Sequence, residues 1–325
     1  MNAILKLVFK NAVSLKLYFL YGFFFASFFT PLAIWIGRRF KVIDNPENSK
    51  ERAKIHHIAV PRTGGIAMYI SFLILFLFIH KFTPKFIGLF IGATIIFIGM
   101  SIDDKYNLSV VKKFLIQFVA ASIVVVAGVK FTFITNPFTK HLINLGWGGI
   151  ILTVLWIVGI TNALNIIDGL DGLAAGIASI SSITLSFVAI YKGNLPLAFL
   201  LLGISGSLIA FLIYNFHPAR IFLGDSGAEL LGFLLSTISV MGAYKTATFL
   251  TMAVPIFTLG IPITEVFTSI VRRLREEMSP FHYDLGHMHY RLLRKGWSQP
   301  RIVLVYYVIT TTLSIAGLYI AFGVK

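Results

Sequence analysis

The sequence predicts an all-α polytopic membrane protein, a bundle of about ten (or eleven) transmembrane helices in one integral domain over residues 1–325. Of the 325 residues, 57% are hydrophobic and only 13% are charged, whereas soluble domains are roughly half apolar and a quarter charged. Several apolar runs reach the ~20 residues that span a bilayer. The absence of cysteine excludes disulfides, thiolate catalysis and cysteine-ligated zinc.

The apolar runs place ten spans along the chain. The first is too long for a signal-peptide core, so we interpret it as a retained span. The ten lie near Leu17–Ile36, Gly64–His80, Phe86–Ile102, Phe114–Val129, Gly148–Leu164, Leu173–Tyr191, Leu195–Tyr214, Glu229–Tyr244, Ala247–Val271 and Ile302–Phe322. The connection Lys130–Gly146 carries Thr, Asn and Pro, which favours a short hairpin.

Charge is distributed unevenly between the two sides of this bundle. The connections after odd-numbered spans contain 18 of the 28 Lys and Arg residues, so the positive-inside rule makes that side cytoplasmic. We assign the net charge of +15 to topology and contact with anionic lipid, and expect no nucleic-acid partner. Eleven of the thirteen acids share this side, and Glu229 and Glu265 lie near it. Since the rule does not require acids there, we expect the active site on the cytoplasmic face.

The central polar stretch is NALNIIDGLDG, Asn162–Gly172. Asp168 and Asp171 are three positions apart, which places both carboxylates on one face of a helical turn. The glycines that follow them allow a ligand to approach the backbone closely. A carboxylate in an apolar chain is costly unless a cation meets it, so this stretch indicates a cation or cation-bridged ligand.

Two further acidic positions interrupt the apolar pattern. Asp103 and Asp104 follow a span directly, and one interpretation of them without a functional role is a helix-end pair exposed to water. Asp225 follows the helix-breaking residues Pro218 and Gly224, and its interpretation without a functional role is an ordinary helix N-cap. Hard cations such as Mg²⁺ take carboxylate oxygens together with substrate phosphates, so the acids in several chain breaks together favour a metal–diphosphate site.

Two loops supply positive charge. The segment Ser279–Gln299 carries three histidines and Asp284 with several basic residues, which favours anion binding, although exposed loop histidines are the commoner case. The loop Gly37–Gly65 includes His56 and Arg62; the alternative there is a juxtamembrane segment that binds anionic lipid.

Five segments in this order resemble the polyprenyl-phosphate N-acetylhexosamine-1-phosphate transferases. The segments read DNPENSKERAKIHHIAVPRTGG, SIDDKYNLSVVKKFLIQ, NALNIIDGLDGLAAG, NFHPARIFLGDSG and SPFHYDLGHMHYRLLRKGWS, and the match runs from about Asp44 to Ser298. The sequence His287-Met288-His289 resembles the GlcNAc-1-phosphate branch rather than the pentapeptide enzymes, which carry three consecutive histidines. Ala59 stands where the family often has proline.

The resemblance implies a role for each matching residue. The implied catalytic residues are Asp103, Asp104, Asp168, His287 and His289. The implied substrate-binding residues are Lys113, Asn165, Asp171, Asn215, Phe222, Arg291, His56 and Arg62. The implied metal ligands are Asp225 and Asp104, for Mg²⁺ with Mn²⁺ as a substitute.

The resemblance also implies the reaction. We expect transfer of N-acetylhexosamine 1-phosphate, GlcNAc 1-phosphate first, from a UDP-sugar to undecaprenyl phosphate in a bacterial cytoplasmic membrane, with release of UMP. The alternatives are a phospho-MurNAc-pentapeptide transferase, a secondary transporter and an inactive nucleotide-sugar-binding scaffold. A homodimer is left open.

Overall fold

The structure is a computed structural model that describes residues 2–45, 58–79, 82–135, 141–242, 249–277 and 286–323. The predicted substrate-binding residue His56 lies outside the described residues, as do His282 and Asp284 of the last polar loop.

The described chain is almost entirely helical, with two short antiparallel strand pairs. The helices are α1 (Asn2–Arg39), α2 (Gly64–Phe78), α3 (Pro84–Tyr106), α4 (Val110–Val126), α5 (Gly146–Ile167), α6 (Leu173–Tyr191), α7 (Leu195–Asn215), α8 (Gly224–Gly242), α9 (Phe249–Thr258), α10 (Gly260–Arg275), α11 (Met288–Arg294) and α12 (Gln299–Gly323). The strands are β1 (Ile43–Asp44), β2 (Val60–Pro61), β3 (Phe133–Thr135) and β4 (Leu142–Asn144). The predicted hairpin is confirmed, because β3 pairs with β4.

Six helices of the described residues are long and apolar enough to cross a membrane, namely α1, α3, α5, α6, α7 and α12. The chain is therefore an all-α, multi-pass membrane protein. Helices α2, α4 and α8 occupy positions of predicted spans without meeting the same criteria of length and composition, so the count of ten stays a prediction. Helix α1 has 38 residues, about 57 Å at 1.5 Å per residue, and exceeds the ~30 Å hydrocarbon core.

The span predicted as one helix over Ala247–Val271 is wrong, because the chain breaks there into α9 and α10. Pro262 follows the break and has no N–H to donate to the carbonyl of Thr258. That carbonyl instead accepts a hydrogen bond of 3.1 Å from Ser181 Oγ. Helix α9 then packs mainly on α12, whereas α10 packs mainly on α5. After the break the chain therefore packs along α5, which contains the first part of the central polar stretch.

Helix α8 lies at the centre of the bundle and packs against α2, α3, α5 and α6. Every residue from Gly224 to Val240 is buried, although the helix contains two carboxylates. A helix that is covered on all sides requires partners for any polar group it carries. The partners of these carboxylates define the candidate site.

The segment that enters α2 runs beside the segment that enters α8. Backbone hydrogen bonds of 2.8–3.0 Å join Phe222 N to Pro61 O, Gly64 N to Phe222 O and Gly65 N to Leu223 O. A Cβ on Gly65 would lie 2.6 Å from the backbone nitrogen of Gly227, so only glycine permits this approach. The pairing carries the intervening Arg62 to the start of α8.

Candidate active site

The carboxylate of Asp104 caps the N-terminus of α8. Its Oδ1 accepts the N–H of Asp225 at 2.8 Å and its Oδ2 accepts that of Ser226 at 3.0 Å. These are two of the N–H groups that an α-helix leaves without an internal partner, and the negative charge also suits the helix dipole. The side chain of Asp104 is 2% exposed. The structure thus shows it as a helix-terminus acceptor, and its predicted metal and catalytic roles stay predictions.

Asp225, at the first turn of α8, is surrounded by donors from three other segments. Its Oδ1 accepts a hydrogen bond of 2.9 Å from Arg62 Nη2. Its Oδ2 pairs with Lys113 Nζ of α4 and lies 3.4 Å from Asn165 Nδ2 of α5. Four predicted site residues from four separate stretches of sequence therefore meet at one carboxylate.

Lys113 also connects Asp103 to this group. Asp103 Oδ2 lies 2.6 Å from Lys113 Nζ, and its Oδ1 accepts the backbone N–H of Leu108 at 2.6 Å. The second contact closes the turn between α3 and α4, which fixes Asp103 relative to Lys113. One ammonium group therefore serves two carboxylates, Asp103 and Asp225.

Asp168 is the half-buried residue that ends α5. Burial and the nearby negative charge of Asp225 raise the pKa of Asp168 to about 8, although Arg62 opposes this shift. Arg62 itself is held charged: burial lowers its pKa, but Asp225 and Asp104 outweigh burial and raise it above the ordinary value. Burial is the larger cause of the raised pKa of Asp168, and the neighbouring carboxylates add to it.

Three predicted substrate-binding residues, Asp171, Asn215 and Phe222, contact or belong to the segment between α7 and α8. Asp171 Oδ2 lies 2.8 Å from His217 Nδ1 and accepts the N–H of Ala219 at 3.1 Å. Asn215 Nδ2 donates to Ile221 O at 2.8 Å. The half-buried Phe222 contributes its backbone to the pairing with the α2 entry segment. These contacts order the segment between α7 and α8; the substrate-binding roles stay predictions.

Glu265 of α10 organises the last basic segment. Its two carboxylate oxygens accept the N–H of Met288 at 3.1 and 3.2 Å, which caps the start of α11. The same carboxylate lies 3.5 Å from Nδ1 of His287 and 3.5 Å from Nδ1 of His289. Tyr306 OH donates to it at 3.3 Å. Glu265 is 3% exposed, so this arrangement is buried.

The two histidines and Arg291 differ in their surroundings. His289 is fully buried, and a Cβ on Gly169 would lie 2.7 Å from its Nε2, so the ring lies against the loop that follows Asp168. Burial lowers the pKa of His289, although Glu265 opposes this. Arg291 is exposed on α11. Catalytic and substrate-binding roles for these residues stay predictions.

Two carboxylates of this region were not predicted as site residues, Glu229 and Glu265. Glu229 Oε1 accepts a hydrogen bond of 3.0 Å from Asn165 Nδ2, which places it beside Asp225. Their position was the available signal, because they are the two acids of the sequence outside the connections that were predicted to be cytoplasmic. An ionisable residue within an apolar helix indicates a functional site by default.

Comparisons with known proteins identify the family. Residues 86–243 match the model described as Glycosyl transferase family 4. A probable undecaprenyl-phosphate N-acetylglucosaminyl 1-phosphate transferase of Bacillus subtilis is 38% identical over 291 residues, which cover 89% of this chain and 80% of that protein. The chain belongs to glycosyl transferase family 4. The predicted resemblance to polyprenyl-phosphate N-acetylhexosamine-1-phosphate transferases is thereby confirmed.

Other members of the family indicate the branch. A decaprenyl-phosphate N-acetylglucosaminephosphotransferase of Mycobacterium leprae is 32% identical and aligns with 78% of this chain and 71% of its own length. A phospho-N-acetylmuramoyl-pentapeptide-transferase of Shouchella clausii is 30% identical, with 91% of this chain and 94% of its own length aligned. The higher identity to the Bacillus protein agrees with the predicted GlcNAc-1-phosphate branch.

Proposed function

We propose that this protein transfers GlcNAc 1-phosphate from UDP-GlcNAc to undecaprenyl phosphate at the cytoplasmic face of a bacterial cytoplasmic membrane. The product is a polyprenyl-diphosphate-GlcNAc, the first lipid-linked intermediate of a cell-envelope polymer, and UMP is released. The observation that carries the proposal is the convergence of Arg62, Asp103, Lys113 and Asp225 at the start of a buried helix, in a chain 38% identical to a protein named for this chemistry.

The reaction is a phosphoryl-group transfer between two anions. An oxygen of the lipid phosphate forms a bond to the sugar-bound phosphorus, the bond from that phosphorus to the bridging oxygen breaks, and UMP leaves with that oxygen. Positioning and charge stabilisation dominate such transfers. Lys113 and Arg62 are the fixed cations at the site, and in this mechanism they bind the phosphate oxygens.

Little base catalysis is required of the protein. A phosphate monoester has a second pKa near ~6 and is largely dianionic at pH 7. Asp103 therefore orients the lipid phosphate through Lys113 rather than removing a proton from it. We favour direct attack over a covalent enzyme intermediate, because both Asp103 oxygens are already engaged, one by Lys113 Nζ and one by Leu108 N.

The chemistry of the donor set fits Mg²⁺. Arg62 and Lys113 are accompanied by five acidic side chains, those of Asp103, Asp104, Asp168, Asp225 and Glu229, so acids outnumber bases in this group. No cluster of three or more His, Asp or Glu side chains among the described residues has the arrangement of a metal site. Mg²⁺ commonly needs only one or two carboxylates, however, with substrate phosphates and water as its other ligands.

We propose that Asp225 would hold the ion, with Asp104 beside it, and that Mn²⁺ substitutes for Mg²⁺. When bound, the ion would offset negative charge that develops on the diphosphate. The amide of Asn165 lies at the same carboxylate, where it restricts the orientation of Asp225.

The test uses purified full-length protein in detergent with undecaprenyl phosphate and radiolabelled UDP-sugars. We expect labelled lipid and stoichiometric UMP from UDP-GlcNAc, complete loss of both in EDTA and recovery with Mg²⁺ or Mn²⁺. Asp225→Asn should abolish turnover, and excess Mg²⁺ should not restore it. Preferential use of UDP-MurNAc-pentapeptide would instead support the pentapeptide branch, and substrate uptake into vesicles without UMP release would support a transporter.

A further inference from the structure

Glu229 is a fully buried carboxylate one helical turn after Asp225 on α8. Burying a polar group such as a carboxyl costs free energy unless hydrogen bonds compensate for the lost water. Among the described residues, no Lys or Arg nitrogen lies within 4.0 Å of it. Its compensation therefore comes from hydrogen bonds, and the donors are side-chain amides.

Each oxygen of Glu229 receives one amide. Oε2 accepts a hydrogen bond of 2.8 Å from Gln117 Nε2, and Oε1 accepts one of 3.0 Å from Asn165 Nδ2. In this arrangement both oxygens of Glu229 are acceptors, whereas an amide has one donating end and one accepting end. Glu229 therefore requires both amides to turn their nitrogens toward it.

The Gln117 amide is held at its other end as well. Its Oε1 accepts a hydrogen bond of 2.6 Å from Asn162 Nδ2, and the same nitrogen donates to Val158 O at 2.8 Å. The hydrogen bonds that begin at Glu229 therefore run through Gln117 and Asn162 to the backbone of α5. Because Asn162 holds Gln117 Oε1, the Gln117 amide cannot exchange the positions of its nitrogen and oxygen when the residue at position 229 is changed.

Asn165 connects this hydrogen-bond network to Asp225 of the candidate active site. Its nitrogen faces Glu229 and, at 3.4 Å, Asp225 Oδ2. The remaining polar atom of the amide is Oδ1, which is an acceptor. Turning the amide over would place Oδ1 against two carboxylates, and that arrangement is unfavourable.

We propose that Glu229 is a positioning residue: it fixes the orientation of Asn165 so that this side chain offers its carbonyl oxygen to a hydrogen-bond donor of the nucleotide sugar. This role rests on the proposed function, because it supposes that a UDP-sugar binds beside Asp225. Glu229 itself does not touch the substrate.

The decisive variant is Glu229→Gln, which keeps the size of the side chain but introduces a nitrogen that faces a donor. Since Gln117 is held by Asn162, the amide that turns over is Asn165. We expect the KM for UDP-GlcNAc and its Kd by calorimetry to rise about tenfold. This is the effect expected when the substrate loses its hydrogen bond to Asn165 Oδ1 and its donor group faces the amide nitrogen instead. We expect kcat to change much less than KM.

A double-mutant cycle separates positioning from a general effect on packing. Asn165→Ala removes the residue through which Glu229 acts, so Asn165→Ala/Glu229→Gln should bind UDP-GlcNAc no more weakly than Asn165→Ala alone. Thr237→Val is the matched control, because Thr237 is a fully buried polar residue of the same helix; its KM should equal that of the wild type. Thermal unfolding in detergent verifies that each variant is folded.

Three results would overturn the positioning role: an unchanged Kd in Glu229→Gln, losses that multiply in the double variant, or a Thr237→Val effect of equal size. If Glu229→Gln does not fold, the same cycle is run with Glu229→Asp, whose side chain is one methylene shorter and moves the carboxylate away from Asn165. This variant should weaken UDP-GlcNAc binding only when Asn165 is present. A wild-type protein that releases UMP while these results fail refutes only this inference. A wild-type protein that releases no UMP refutes the proposed function.

Discussion

Lys113 is the cation that Asp103 and Asp225 share at this site, and its loss should affect both carboxylates. Its ammonium group lies 2.6 Å from Asp103 Oδ2 and also pairs with Asp225 Oδ2. Lys113→Met keeps most of the length of the side chain and removes the charge. Two carboxylates would then face each other without their shared cation, and the site would lose a group that the proposed mechanism uses to bind phosphate.

The structure sets the expected magnitude. The side chains of Asp103 and Asp225 are 5% and 12% exposed, whereas that of Lys113 is 22% exposed. Removing one partner of a buried ion pair costs about 3–5 kcal/mol of folding stability, which the thermal-unfolding measurement reports. Removing one positioned group that stabilises transition-state charge costs about 10²–10³-fold in rate. We take the lower end because Lys113 is partly solvated, so the expected loss in kcat/KM is about 10²-fold.

The assay is UMP release from UDP-GlcNAc and undecaprenyl phosphate in detergent, with thermal unfolding measured on the same samples. Lys112→Met is the matched control, because Lys112 is the exposed neighbour on the same helix; its kcat/KM should stay within twofold of the wild type. Lys113→Arg should retain more activity than Lys113→Met, since it retains the charge. A kcat/KM for Lys113→Met within threefold of the wild type would refute the reasoning.

Two further predictions concern carboxylates outside this ion pair. Glu265→Gln removes the charge that faces the start of α11, so the free energy of unfolding should fall by about 1 kcal/mol, the scale of a favourable helix-terminus charge, and an unchanged Tm would contradict this. Because the folded-state pKa of Asp168 is about 8, the folded protein retains a proton that the unfolded chain releases near pH 4. In EDTA, stability should therefore decline as pH rises from about 4 to 8. Asp168→Asn should raise Tm more at pH 8 than at pH 5, and equal changes at both pH values would contradict the assignment.

The sequence was sufficient to predict which polar segments meet, because polar groups in an apolar chain need one another. Asp103, Lys113, Asn165 and Asp225 come from three of the five quoted segments and share direct contacts. The hairpin between β3 and β4 was likewise predictable from its turn residues.

Pairwise contacts were not predictable in the same way. The sequence shows that Asp104 is an acid at the end of a span, but not that both its oxygens accept N–H groups of another helix. The break between α9 and α10 was missed because the apolar run continues through Gly260 and Pro262, and hydropathy does not distinguish one helix from two. Glu229 was missed because it lies within an apolar run and outside the residues that the family resemblance assigns a role.

The motif residues divide into those that surround Asp225 and those that hold two backbones together. The pairing of Pro61, Gly64 and Gly65 with residues 222–223 uses main-chain atoms and a close approach that only glycine allows. Ala59 is a position where the chain departs from the family pattern, and it lies exposed, one residue before β2. Since β2 pairs with β1 and its Pro61 carbonyl still accepts Phe222 N at 2.8 Å, the backbone that delivers Arg62 to Asp225 does not depend on a proline at position 59.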